Sequence, residues 1–279
     1  MDAAATAFVP GHLTALFSVH RRGSPERTGS RGAGVALTDG VTVRAAPGDR
    51  AVDLDGESVA AVEGVLDALG VDARVDIDPD LPVGAGFGVS GAAALGTALA
   101  VNAVAGLARS ENELVAVAHA AEVAAGTGLG DVVAQARGGV PLRLEPGAPP
   151  HASLDGIPAG GRIEYLSLGE LSTKQVLDGD TDALSAAGER ALAALRERPT
   201  LPTLVETGRE FAVEADLLTD DVAAVIEDVA AAGGRASMAM LGRSVFAPGT
   251  GLSDAGYDPR VCRVHPAGAT IRDAGPTDS

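Results

Sequence analysis

One cysteine, Cys262, is too few for an internal disulfide. One lysine, Lys174, stands against 20 arginines, and the 21 basic residues are outnumbered by 38 acidic ones, giving a formal charge of −17. So acidic a chain lacks the clustered Lys and Arg that backbone phosphates demand, which argues against a nucleic-acid partner. No run of about 18 apolar residues occurs, so no membrane-spanning helix is expected. The start, Met1-Asp2-Ala3, lacks the basic residues and apolar stretch of a secretory signal, and a cytoplasmic protein is expected. Aromatics are scarce too, at 3%. An acidic surface repels itself in dilute buffer and is screened by strong salt, so a salt-rich cytoplasm suits this balance. A GC-rich genome would account for the Ala, Gly, Val and Arg content but not for the acidic excess.

What is present is a folding composition: 46% hydrophobic and 21% charged over 279 residues, enough for two domains or one large one. Phe8 to Phe17, FVPGHLTALF, reads as a strand, a Pro-Gly turn and a short helix. The glycine-rich Gly29 to Gly34 leads into Val35-Ala36-Leu37. Val59, Val62, Leu66 and Leu69 share a helical face, and Val71, Ala73, Val75 and Ile77 alternate with charged residues as a half-buried strand. Ser110 and Glu113 form a capping box for a helix through Glu122. Pro146 to Gly161, rich in Pro, Gly and Ala, reads as a linker between residues 1–150 and 151–279. Helices near Thr181 to Arg196, Thr203 to Leu217 and Asp220 to Ala232 follow, with strands at Ile163 to Leu168, Ser237 to Leu241, Ser244 to Ala247 and Val261 to Val264. Strands and helices do not alternate steadily, so the fold class is α+β. A homodimer is the default assembly.

The strongest local signal is Gly84-Ala85-Gly86-Phe87-Gly88-Val89-Ser90-Gly91, with four glycines in eight residues ahead of an Ala-rich helix. Backbone N–H groups and the helix N-terminus converge there as an anion site suited to a polyphosphate. The bland alternative is a turn with Ser90 as a simple N-cap. Gly86, Gly88 and Gly91 imitate a dinucleotide fingerprint, but Asp78 to Pro82 interrupts the strand that should feed it. A Walker A loop requires a lysine that is absent here. Glu122 lies on an apolar helical run, where a carboxylate is costly unless paired or metal-bound. Asp131 follows three glycines in six residues and reads either as a catalytic acid or as a helix cap. His119, one turn before Glu122, reads as surface or core rather than a ligand. Ser30 and Arg31, set among glycines, are candidate substrate contacts, Arg31 as a fork for a carboxylate. His12 points into the same cleft or caps a turn.

Pro82-x-x-x-Gly86-Phe87-Gly88-Val89-Ser90-Gly91-Ala92 resembles the P-x-x-x-G-L-G-S-S-A motif of the galactokinase, homoserine kinase, mevalonate kinase and phosphomevalonate kinase (GHMP) superfamily. Pro10-Gly11-His12 resembles its N-terminal P-G-K segment, and GRASMAMLG, Gly234 to Gly242, its C-terminal glycine motif. Within it, VPGHLTALFSVH, GSRGAGVAL, GTGLGDVVAQARGG and ASMAMLGRSVF together resemble the archaeal pantoate kinase family. The resemblance implies two α+β lobes, the first like ribosomal protein S5 domain 2 and the second ferredoxin-like. It also implies ATP and Mg²⁺ as cofactors and pantoate as substrate, phosphorylated on its 4-hydroxyl for coenzyme A synthesis. Gly84 to Ser90 would then wrap the ATP phosphates, Ser90 and Glu122 would hold Mg²⁺, and Asp131 would act on the hydroxyl. Three departures stand out: Glu122 and Asp131 are closer in sequence than the family's usual acid pair, His12 replaces the lysine of mevalonate kinases, and Val89 replaces a motif serine. A different small-metabolite kinase of the superfamily and a non-catalytic sensor are the alternatives.

Overall fold

The computed structural model describes residues 4–54, 60–169, 181–240 and 242–273. Lys174, Glu57, Val59, Leu241 and the tail from Ala274 lie outside the described residues. Two sheets organise the described residues. The first, seven-stranded, runs in the order β11 (Thr270–Asp273), β1 (Ala5–His20), β2 (Gly29–Pro47), β4 (Ala73–Pro79) and β3 (Ala51–Asp53). From β2 the hairpin of β5 (Val140–Glu145) and β6 (Ser153–Ile157) branches off. The second sheet is antiparallel, in the order β10 (Arg260–Arg263), β7 (Arg162–Ser167), β9 (Ser244–Pro248), β8 (Ser237–Ala239).

Helices α1 (Ala60–Leu69), α2 (Val89–Val104), α3 (Glu111–Ala125) and α4 (Asp131–Arg137) belong to the first half. α5 (Asp182–Glu197), α6 (Leu201–Glu214), α7 (Asp220–Ala231) and the short α8 (Gly251–Asp254) follow. Alternation holds as read along β4, where Ala73, Val75 and Ile77 are buried and Arg74, Asp76 and Asp78 exposed. The capping box at Ser110 forms in full, and α7 buries Val222, Val225, Ile226 and Val229.

Three expectations need correction. Phe8 to Phe17 is not a strand, turn and helix but part of one strand, β1, that continues through Pro10-Gly11. Register shifts between Pro10 and His12 and between Thr14 and Leu16 absorb the extra residues as bulges. The strand is central and almost wholly buried, so its ladder outweighs the local turn signal. The stretch read as a linker contains β6, which pairs with β5, so sheet membership changes between β6 and β7. Ser90 is not an N-cap: Gly88, in the left-handed region at φ 66°, holds that position, and Ser90 sits in the first turn of α2. The sequence reading also missed β3, α8 and β11; β11 returns from the C-terminal part to β1.

Candidate functional site

The loop before α2 is built to face its N–H groups outward. Gly84, Gly86 and Gly88 all have positive φ, a conformation that L side chains rarely adopt. Its carbonyls are taken from behind: Ala85 O accepts the Ser244 hydroxyl at 2.8 Å, Phe87 O the His12 N–H at 3.0 Å, and Gly88 O the Gln135 amide at 2.8 Å. In a trans peptide the following N–H points opposite to the C=O. The N–H groups of Gly86, Gly88 and Val89 therefore face away from those donors, an arrangement suited to an anion. Ala85 and Phe87 are buried anchors.

Two carboxylates lie beside this loop. Glu122, on the last turns of α3, is 1% exposed, and its Oε2 has no hydrogen-bond partner. A Cβ on Gly91 would sit 2.8 Å from Glu122 Oε1, and one on Gly128 would press on the same carboxylate, so both glycines are needed for close approach. Burial, and then the charge of Asp131, push the Glu122 carboxyl well above its ordinary range. Asp131 opens α4 after the N-cap Gly130, with 24% of its side chain exposed. Its Oδ1 is 2.8 Å from His12 Nδ1. Burial pulls the Asp131 pKa upward, but the His12 hydrogen bond and charge, with Arg143, outweigh it, and the carboxyl ends below its usual value. His12 is fully buried and is pushed down by that burial, against the pull of Asp131. A neutral imidazole donating from Nδ1 leaves Asp131 charged, and the Thr14 hydroxyl also favours that charged form.

Arg143, in the middle of β5, is the feature that sequence reasoning missed. It is 2% exposed, and neither Nε nor Nη1 has a partner. Burial lowers its pKa while the Asp131 charge raises it. Gly130 lets it pass, since a Cβ there would sit 2.8 Å from Arg143 Nε and would strike Ser30 Oγ. Ser30 is therefore at the same place, buried, with its N–H on Leu129 O at 3.0 Å. His119 is buried as well, rather than a surface residue. Its Nε2 donates to Thr28 O at 2.8 Å, which leaves Nδ1 a bare, unpartnered acceptor. Among the described residues, the buried side-chain polar atoms without a partner belong to His12, His119, Glu122, Gln135 and Arg143. His12, Glu122, Gln135 and Arg143 gather about Asp131 and Gly88, where a Cβ at Gly88 would sit 2.9 Å from Gln135 and 3.1 Å from Asp131; His119 lies against Thr28. Buried polar atoms are normally paired, so orphans gathered in one place make a candidate ligand site.

Arg31 has different company. Its Nε donates to Leu144 O at 2.8 Å and its Nη1 to Glu189 Oε2 at 2.5 Å. Glu189, on α5, also accepts from Ser18 at 2.6 Å and lies 3.0 Å from His20 Nε2. Arg31 is thus engaged in a satisfied clasp between α5 and the first sheet. Ser90 Oγ donates to Thr127 Oγ1 at 3.0 Å, and Thr127 reaches back to Glu122 O, so Ser90 stands over the end of α3.

Residues 58–139 match the family description GHMP kinases N terminal domain. The chain is 34% identical over 248 residues to the pantoate kinase of Methanocaldococcus jannaschii, covering 86% of this chain and 90% of that protein. To the pantoate kinase of Thermococcus kodakarensis it is 33% identical over 260 residues, 86% of each. The chain belongs to the GHMP kinase family. Its fold matches a solved phosphotransferase related to the CoA biosynthesis pathway, with a TM-score of 0.85, 27% identity and coverage of 97% and 99% of the two chains. It also shares the fold of homoserine kinase from Cytophaga hutchinsonii, at a TM-score of 0.71 and 18% identity, over 97% and 98% of the two chains.

GHMP kinases use ATP and Mg²⁺, and the residues present fit both. The outward N–H groups suit phosphate oxygens. The orphaned Oε2 of Glu122, on a carboxyl that burial disfavours as an anion, is a donor that a hard cation would satisfy. No cluster of three His, Cys, Asp or Glu side chains suited to a metal occurs among the described residues. Mg²⁺ needs none, because it takes one or two carboxylates and fills its shell with water and phosphate. No helix of the described residues is long and apolar enough to cross a membrane. A signal for Arg143 did exist: a lone charge inside the apolar strand run Val140-Pro141-Leu142-Arg143-Leu144.

Proposed function

We propose that this GHMP kinase transfers the γ-phosphoryl group of ATP to the 4-hydroxyl of pantoate, giving 4-phosphopantoate for coenzyme A biosynthesis. The observation that carries this reading is the buried guanidinium of Arg143 beside Asp131, with Nε and Nη1 lacking partners, in a chain whose relatives over most of its length are pantoate kinases. Buried N–H donors left without acceptors are costly even beside a charged neighbour, and the carboxylate of a hydroxy acid removes that cost through paired N–H bonds. His119 Nδ1, a bare acceptor, and Ser30 suit the hydroxyl groups of such a substrate.

Asp131, charged and held through one oxygen by His12, aligns the attacking hydroxyl and takes its proton as the oxygen bonds to the γ-phosphorus. The β–γ bridging bond breaks and ADP leaves. The loop from Gly84 to Ser90 cradles the phosphates. Ser90 and Glu122 hold Mg²⁺, which when bound neutralises developing phosphate charge. Glycines bring these groups within reach, so the gain comes from positioning and fixed charge rather than covalent chemistry.

We read the chain as two lobes, residues 1–150 and 151–279, the second lending β6 and β11 to the first sheet. A cytoplasmic homodimer is the default assembly. The test is ADP release from ATP and Mg²⁺ in high potassium chloride, which screens a net charge of −17, with pantoate, mevalonate, homoserine and galactose in parallel. Turnover confined to pantoate is expected; turnover with another alcohol overturns the substrate.

A further inference from the structure

The glycines that let the phosphate loop adopt its shape also leave it with little side-chain packing of its own, and a glycine loop loses much entropy when ordered. Phe87 is its largest anchor, and it stands where the family motif has leucine. The Phe87 ring packs on Tyr165 of β7, in the second sheet, at 4.8 Å between centroids and 58° between planes. Tyr165 is 2% exposed, and its hydroxyl donates to Asp39 Oδ2 at 3.1 Å. Asp39 lies in β2, within three residues of the Ala36 that faces His12 across the sheet. Asp80, Arg260 and Cys262 are the other titratable groups around this pair. Phe87 O in turn receives the His12 N–H. One aromatic pair, pinned by a carboxylate, thus ties the second sheet to the middle of the loop and to the strand that carries His12.

We propose that Tyr165 is a positioning residue for nucleotide binding: through its ring on Phe87 and its hydroxyl on Asp39, it holds the phosphate loop with its N–H groups aimed outward. It touches neither substrate. The inference rests on the proposed reading of the loop as the ATP phosphate site. Its signature is a selective effect, because the residues read as pantoate contacts, Arg143, His119 and Ser30, do not lean on this pair.

The test compares Tyr165→Leu, Tyr165→Phe, Phe87→Leu and the double variant Tyr165→Leu/Phe87→Leu, with KM measured for ATP and for pantoate separately. Tyr165→Leu should raise the KM for ATP about three- to tenfold, the range that an aromatic pair's contribution converts to. The KM for pantoate should stay within about twofold, and Tyr165→Phe, which keeps the ring, should show the smaller ATP effect. The double variant should be no worse than the worse single one, as expected of two halves of one contact. If Tyr165→Leu fails to fold, Phe87→Leu removes the same pair from the loop side and carries the test. An unchanged KM for ATP, a parallel rise in both KM values, or additive effects would overturn the proposal. A wild-type protein that binds no ATP would instead remove the loop reading itself, and this inference with it.

Discussion

Two polar clusters draw on strand β1, and they differ in one respect. The clasp of Ser18, His20, Arg31 and Glu189 pairs its charges with one another, half in solvent. The centre around His12, Glu122, Asp131 and Arg143 is buried but for part of Asp131, and leaves polar atoms of His12, Glu122 and Arg143, and of the adjoining Gln135, unpaired. A folded chain gains from satisfied polar groups and loses from buried orphans. The first arrangement holds two parts of the molecule together; the second costs stability, which under the proposed function a ligand would offset. The arginine marked by flanking glycines, Arg31, falls in the first group, whereas the arginine of an unremarkable apolar strand, Arg143, falls in the second.

The comparison breaks most sharply at Asp131. Asp131→Asn should lower kcat by ~10²–10⁴-fold, the usual worth of a positioned proton acceptor, while nucleotide affinity holds. Steady-state kinetics beside a nucleotide titration would check it, and unchanged turnover would remove Asp131 from the chemistry. Glu122→Gln should raise the Mg²⁺ concentration needed for half-maximal rate by about tenfold or more, as loss of a charged ligand implies. The same change should leave the metal-free protein as stable or more so. The sign follows from burial: the folded pKa of Glu122 is raised, so the folded state holds the extra proton and wild-type stability falls as pH rises through that raised pKa. The Tm advantage of the Gln variant should therefore widen with increasing pH; a Tm deficit at all pH values would contradict the account. The smallest effect belongs to the clasp. Glu189→Gln weakens a half-exposed ion pair worth about 0–1 kcal/mol, so KM for both substrates should move less than about threefold. A larger change in pantoate KM would place the clasp in the site.

Much of this was legible in the sequence because the signals are local. The alternation of β4, the capping box at Ser110 and the glycines of residues 84–91 each report on neighbours a few positions apart. The glycines at 126, 128 and 130 singled out Asp131, and the family resemblance paired it with Glu122. What escaped depended on distant partners. The continuity of β1 through Pro10-Gly11 follows from pairing with β2 and β11, which no window around the turn contains. Arg31 looked free because Glu189 is 158 residues away. Arg143 was passed over because its value lies in what surrounds it: Gly130, Ser30 and Asp131 from other elements.

The central claim is tested most directly by titrating pantoate into the wild type, Arg143→Met and Arg31→Met in the presence of Mg²⁺ and a non-hydrolysable ATP analogue. Removing a buried cation from its anion typically costs 2–5 kcal/mol, so Arg143→Met should weaken pantoate binding by roughly 30-fold or more. Arg31→Met should stay within about threefold, as for a half-exposed pair. The reverse order, with Arg31→Met abolishing binding and Arg143→Met near the wild type, would contradict the account.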